Sequence, residues 1–384
     1  MPTVRVAVTP TMFRWARERA RLSAGALERA FPKLAEWERG EQQPTLKQLE
    51  NFARRTNAPV GYFFLAEPPD ETLPIPDFRT FRDEPVARPS ANLLETIYTC
   101  QRRQSWYRDY AEANGYAPLS FVGSIQVGAD VPLAATTIRA LLRLELSERQ
   151  RERTWEAALT SLIRLVEEAG VMVMKNGVVG NNTHRPLDRE EFRGFALADM
   201  LAPLIFVNAA DSKAGQMFTL AHELVHVFAN LTALDDASPR RMARDAVERW
   251  CNEVAAELLV PLDAFASAYN RDADLGEETQ RLARRFKVST LVILRRMFDA
   301  RGLSRDAFWA AYDAELLRLK EHAPTGPGGD FYATEAVRVG RRFATALVSS
   351  TLEGATLYRD AFRLLGIAKA ETFNKFSAQL GVAA

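Results

Sequence analysis

Two of the chain's four histidines stand four residues apart in TLAHELVHVF, residues Thr219 to Phe228, with Glu223 directly after the first. Residues four apart on a helix share a face, so His222 and His226 can present both imidazoles to one ion. Glu223 sits one step round the helix, close to such an ion without being needed as a ligand. It is placed to hold a water and take its proton. A Zn²⁺ ion lowers the pKa of a coordinated water from about 15.7 to roughly 7 and polarises a scissile carbonyl. The chemistry expected of this stretch is metal-assisted hydrolysis.

Such a site needs a third protein ligand and one open position. Glu248, in VERWCNEVAAELLVP, lies 22 residues beyond His226, which leaves room for a turn and an antiparallel return. Glu253 and Glu257 on the same segment, and Asp235 and Asp236 in the connection, compete for the role. Glu248 and Glu253 are five apart and do not share one direction on a helix. The competing reading of the whole stretch is a buried, hydrogen-bonded histidine pair of purely structural use. The flanks Phe218, Leu220, Ala221, Leu224, Val225, Val227 and Phe228 bury the helix, and two imidazoles and a carboxylate buried together need a partner that satisfies them.

The elements that must position these side chains follow from hydrophobic period. VMVMK (Val171 to Lys175), FRGFALAD (Phe192 to Asp199) and APLIFVNA (Ala202 to Ala209) read as strands, so a small sheet precedes the histidine helix. A long helix is expected from about Ser90 to Asn114, with further helices near Leu133 to Leu144 and Ser147 to Ala169. After the histidine helix, Asp245 to Pro261 is helical until the proline helps to stop it. EPPDETLPIPDFRT, with four prolines, reads as a linker lying against protein surface through Leu73, Ile75 and Phe78. APTGPGG, Ala323 to Gly329, is a second linker. The expected class is α+β, mostly helical, with a small mixed sheet. The expected division is residues 1–66 as a helical unit, 67–89 as linker, 90–322 as the domain with the histidine helix, and 323–384 as a C-terminal helical module. In that module Phe343, Leu347 and Leu352 form a core stripe, with Tyr358, Phe362 and Leu365 on the next helix.

Composition sets the limits. The chain has 384 residues, long for one domain, with 47% hydrophobic residues and 26% charged. The formal net charge is +1, so any affinity for nucleic acid must be local. Two distant cysteines, Cys100 and Cys251, make no disulfide framework and fit a reducing compartment. No long apolar run marks a signal peptide or a membrane span, and the expectation is a cytoplasmic protein.

FTLAHELVHVF followed by ExxCN and AAELLVP resembles the ImmA/IrrE metallopeptidases, relatives of the zincin fold, from about Val171 to Pro261 and more weakly to Leu303. The resemblance implies zinc held by His222, His226 and Glu248, with Glu223 as general base. It also implies cleavage of a repressor-type regulatory protein. Zincins bind substrate as an added strand, and Gly194, Phe195 and Ala196 are the candidate edge. His184 is a candidate for oxyanion or substrate contact, set against an ordinary surface residue. The C-terminal module resembles the tail of longer members of the family, which points to a toxin partner as one further expectation. A homodimer is another.

From Pro10 to Arg55 the chain has ten Lys/Arg against six Glu, a local excess that suits a phosphate backbone. WERGEQQPTLKQLENFARRTNAPVGYFFL resembles an XRE-type helix-turn-helix. Met12, Trp15, Ala16 and Leu22 read as its inner face, and Lys33 and Arg39 are its candidate DNA contacts. The recognition helix would be short, roughly Lys33 to Glu38, and Pro32 falls where the turn should be. Glu36 and Glu38 repel phosphates, so a degenerate module for dimerisation or protein contact competes with DNA readout. Leu282 to Ser304 is a second helix-turn-helix candidate, with Arg284, Arg285, Lys287, Arg295 and Arg296 basic and Ser289 as a cap. Its alternative is a helical pair packed on the core. Two functions therefore compete: a zinc endopeptidase acting on a regulatory protein, and a non-proteolytic DNA-binding regulator or antitoxin with a structural or sensory zincin domain.

Overall fold

The computed structural model describes residues 4–76, 88–234, 246–321 and 331–382. Phe78, Asp235, Asp236 and the 323–329 linker lie outside them. The chain divides into two compact units, residues 1–74 with 83–98, and residues 75–82 with 99–384.

In the first unit, helices α1 (Pro10–Arg19), α2 (Ala24–Glu28), α3 (Leu34–Arg39) and α4 (Leu46–Arg55) are followed by a 3₁₀ turn at Val60–Phe64. Met12, Phe13, Trp15, Trp37, Phe52 and Phe63 form its core, with Leu22 packed against it. The turn chemistry works as the sequence implies. Ser23 accepts from the Ala26 amide and caps α2, Gly40 ends α3 at φ 77°, and Thr45 with Gln48 forms a capping box on α4. The Pro-rich segment is shared out between the units. Glu71 pairs with Arg19 in the first, while Ile75 is buried and the Pro76 carbonyl accepts from Leu234 in the second.

The second unit begins on α5 (Ala91–Ala113, entered from the first unit), then α6 (Val131–Leu142), α7 (Leu146–Arg151) and α8 (Trp155–Glu168). The single helix expected over Ser147 to Ala169 is two. Thr154 accepts from the Ala157 amide and starts a new helix three residues after Arg151. Strands β1 (Met172–Asn176), β4 (Gly194–Leu197), β5 (Leu204–Asn208) and β6 (Ala233–Leu234) form a mixed sheet in the order β1-β5-β4-β6. β1 runs parallel to β5, and β4 is antiparallel to both β5 and β6. β2 (Val178–Val179) and β3 (Asn182–Pro186) make a separate hairpin.

Helix α9 (Lys213–Phe228) packs on β4 and β5, and α10 (Ala246–Leu259) packs on α9 and α6. The remaining helices are α11 (Leu262–Ala266), α12 (Leu275–Phe286), α13 (Thr290–Asp299), α14 (Arg305–Glu321), α15 (Phe331–Val339), α16 (Arg341–Leu352), α17 (Tyr358–Leu365) and α18 (Ala370–Leu380). The architecture is α+β, mostly helical, with a small mixed sheet, and it fits a zincin-like fold. The C-terminal helices belong to the second unit, because α15 and α16 pack on β1. Among the described residues no helix is long and apolar enough to cross a membrane.

Candidate metal centre

Helix α9 starts at Ser212, whose hydroxyl accepts from the Gly215 amide. The Gln216 amide group donates to the carbonyls of Ala209 and Asp211, which locks the turn from β5 into the helix. From Thr219 to Phe228 every residue is buried. This is a core helix, so its polar side chains must meet polar partners inside the protein.

Glu248 supplies that meeting from the first turn of α10. Its carboxylate lies 3.1 Å from His222 Nε2 and 3.4 Å from His226 Nε2, and the two Nε2 atoms are 2.9 Å apart. Ligand atoms of the three residues all lie within 4.8 Å of one another. Burial works to raise the Glu248 carboxyl, but hydrogen bonds to His222 and His226 and their charge prevail and hold it far below the usual carboxylate range. Glu253 and Glu257 point elsewhere. Glu253 pairs with Arg295, and Glu257 accepts from the Leu262 amide and from Arg296.

The far end of α10 is pinned by arginines. Arg139 donates to the Glu257 carbonyl and Arg149 to that of Leu259, while buried Arg296 bonds Glu257 and Asp299. Cations on the last carbonyls satisfy acceptors that the helix leaves open and complement its dipole. Glu248 is therefore the front end of a helix whose back end is fixed.

The donor set fits a divalent transition metal: two imidazole nitrogens and one carboxylate, converging and buried. A second feature supports the fit. His222 Nδ1 lies 3.1 Å from Asn252 Oδ1, so the ring donates outward to the amide oxygen and turns Nε2 toward His226 and Glu248. Asn252 was not among the expected site residues, although it stands four residues after Glu248 and so shares its face. Replacing Asn252 with Ala is expected to weaken metal binding by about 10- to 100-fold. A competition titration against a chelator reads this, and an unchanged affinity would remove Asn252 from the site.

Glu223 is fully buried one step round from the ligand face. A Cβ built on Gly194 would stand 3.1 Å from Glu223 Oε1, 2.8 Å from the Phe206 carbonyl oxygen and 2.5 Å from Thr219 Cγ2. Gly194 is thus the point where β4 comes down onto α9 beside the carboxylate, and only hydrogen fits there.

Other expected residues fall differently. β4 is not an edge strand: β6 pairs with it at Phe195 and Ala196, both fully buried, so an added strand finds those positions taken. His184 lies on β3 of the separate hairpin and is exposed, apart from the buried donors. Lys33 is exposed just before α3, and Arg39 is engaged by Glu41 while Arg17 holds Glu38. In the second helix-turn-helix candidate Ser289 does cap α13, accepting from the Val292 amide. Arg284 and Arg285 are exposed and Lys287 half-buried, but Arg295 bonds Asp299 and Arg296 is buried against Glu257. That segment is a helical pair packed on the core.

No curated protein matches the chain. Residues 339–379 match a model described as a domain of unknown function (DUF8813). Residues 166–298, the segment that holds all four site residues, match the model of the IrrE N-terminal-like domain, Peptidase_M78, which supports the ImmA/IrrE family for this part of the chain and indicates a metal-dependent peptidase.

Proposed function

We propose that this chain is a zinc-dependent endopeptidase that cuts a regulatory protein, a repressor or an antitoxin-like partner. The observation that carries the reading is the convergence of His222, His226 and Glu248 within 4.8 Å, with Glu223 buried on the same helix turn. His222, His226 and Glu248 would hold the ion. Bound there, zinc supplies Lewis-acid polarisation of the scissile carbonyl and acidifies water. Glu223 takes the proton of the attacking water and returns it to the leaving amine. Asn252 fixes the ring of His222 through Nδ1. The apolar wall of α9 around these groups keeps bulk water out and strengthens their electrostatics.

The regulatory part of the proposal rests on the ImmA/IrrE resemblance. It is joined by a basic N-terminal unit that resembles a helix-turn-helix, where contact with DNA through Lys33 and Arg39 would bring the peptidase to its target. Arg284, Arg285 and Lys287 would add backbone contacts. Metal removal is the test. Metal content near one zinc per chain, cleavage of a candidate repressor that stops on chelation and returns with zinc, is the expected result. Cleavage indifferent to chelation, or regulation of the repressor without any cleavage, overturns the reading.

A further inference from the structure

Among the described strands the sheet order leaves β6 at one side, next to β4 alone. The strand is short but firmly fastened. The His226 carbonyl takes the Leu231 amide at 2.8 Å, which ties the chain leaving α9 to that helix. Thr232 Oγ1 accepts from the Ala198 amide at 3.0 Å, and Ala233 and Leu234 are fully buried. β6 is therefore a fixed part of the sheet. It also lies close to Glu223: Leu234 pairs with Phe195, whose neighbour Gly194 is the residue that meets that carboxylate.

Leu234 sends its amide away from β4, to the Pro76 carbonyl at 3.3 Å. The amide and carbonyl of one strand residue point the same way, so the Leu234 carbonyl faces outward too. An outward edge of this kind pairs readily with an extended chain. In this molecule the extended chain is its own Pro-rich segment. Ile75 and Pro76 belong to the second unit, and Ile75 is 6% exposed. The hold is slight. An ordinary residue opposite Leu234 would accept one bond and return another. Pro76 accepts but has no N–H to return, and Pro74 has none either. Among the described contacts, one hydrogen bond and one buried aliphatic side chain seat Ile75–Pro76.

We propose that the outer side of β6 is where an extended peptide substrate pairs, and that Ile75–Pro76 is an internal stand-in which the substrate must displace. The proposal rests on the peptidase reading. It moves strand addition outward by one strand, from β4, whose Phe195 and Ala196 are taken, to β6. The chemistry of the strap suits a removable cover. Proline on either side of Ile75 keeps the backbone extended, so seating it costs little ordering. A substrate with an ordinary residue in the place of Pro76 gains the bond that proline cannot make. The substrate class is a protein segment unfolded over a few residues, with a branched aliphatic side chain where Ile75 now sits. While the strap is seated, only the fraction of molecules with a free edge binds substrate, so the strap raises the apparent KM.

Amide exchange and cleavage on the full, zinc-loaded chain test this together. In Ile75→Ser the Leu234 amide is expected to exchange about tenfold faster than in the wild type, roughly what burying one such side chain is worth to a local opening. Protection of residues 219–228 should stay as it was, which shows that the fold holds. A synthetic peptide of residues 67–76 carrying Pro76→Ala should restore the protection of Leu234 in Ile75→Ser. The same variant should cut a candidate repressor with KM lowered about tenfold and kcat unchanged. Unaltered exchange at Leu234, or no protection by the peptide, overturns the proposal. Faster exchange with wild-type KM makes the strap a passive cover of the edge and also overturns it. Should both proteins leave the repressor uncut although Leu234 responds, the peptidase reading fails and the substrate role falls with it; the exchange behaviour keeps the two failures apart. Ile75→Ala carries the same comparison if Ile75→Ser does not fold.

Discussion

Glu223→Gln is expected to keep the metal and lose about two to four orders of magnitude in turnover. The substitution changes no volume, so the fully buried site should close around it as before. The three donors that converge are His222, His226 and Glu248, and Glu223 is outside that set. What glutamine lacks is a basic oxygen to take the proton of the attacking water. The effect should therefore appear in kcat, with KM for the protein substrate nearly unchanged. Glu248→Gln gives the contrasting outcome, in which metal and activity are lost together. Metal content by mass and single-turnover cleavage, measured on the same preparations, separate the two variants. Full turnover in Glu223→Gln would remove the base from the mechanism. Loss of metal in that variant would instead place Glu223 among the ligands.

What was legible in the sequence was whatever is written locally. The spacing of His222 and His226, the buried flanks and the cap at Ser289 are all decided within a few residues, and each forms as expected. That Glu248 and Glu253 could not both face one ion was legible from their spacing, while the choice of Glu248 came from the ImmA/IrrE resemblance. The parts missed are those set by distant partners. β6 is two residues long, too short for an alternating pattern, and so β4 read as an edge. Arg296 read as a basic residue of the second helix-turn-helix candidate, yet it is buried on Glu257, and buried Arg149, for which the sequence raised no expectation, meets the last carbonyl of α10. The hydrogen bond from the Arg342 amide to Glu167 spans 175 residues of sequence, and nothing in either neighbourhood announces the other. The amphipathic C-terminal stripe was readable as a face in need of a partner; which surface it covers was not.

The same distinction gives Gly194 a different meaning, and replacing it with Ala is expected to disturb the fold and the base together. Read as part of an edge strand, Gly194 would be a substrate contact and would tolerate a methyl group. In the folded chain that methyl would stand 2.5 Å from Thr219 Cγ2 and 2.8 Å from the Phe206 carbonyl, with Glu223 Oε1 at 3.1 Å. A side chain can yield, but a carbonyl within the β4–β5 ladder cannot move without breaking strand pairing. Overpacking of this kind costs about 1–3 kcal/mol. β4 must lift from α9, and the carboxylate it abuts loses its fixed position. A denaturant midpoint should fall without a change in slope, and turnover should drop further than metal affinity. Thr219→Ser in the same chain removes the nearest clashing atom and should recover part of the stability. It should not recover all, because the Phe206 carbonyl remains. Wild-type midpoint and turnover in Gly194→Ala would mean that β4 and α9 do not meet this closely, and that the position of Glu223 is set by α9 alone.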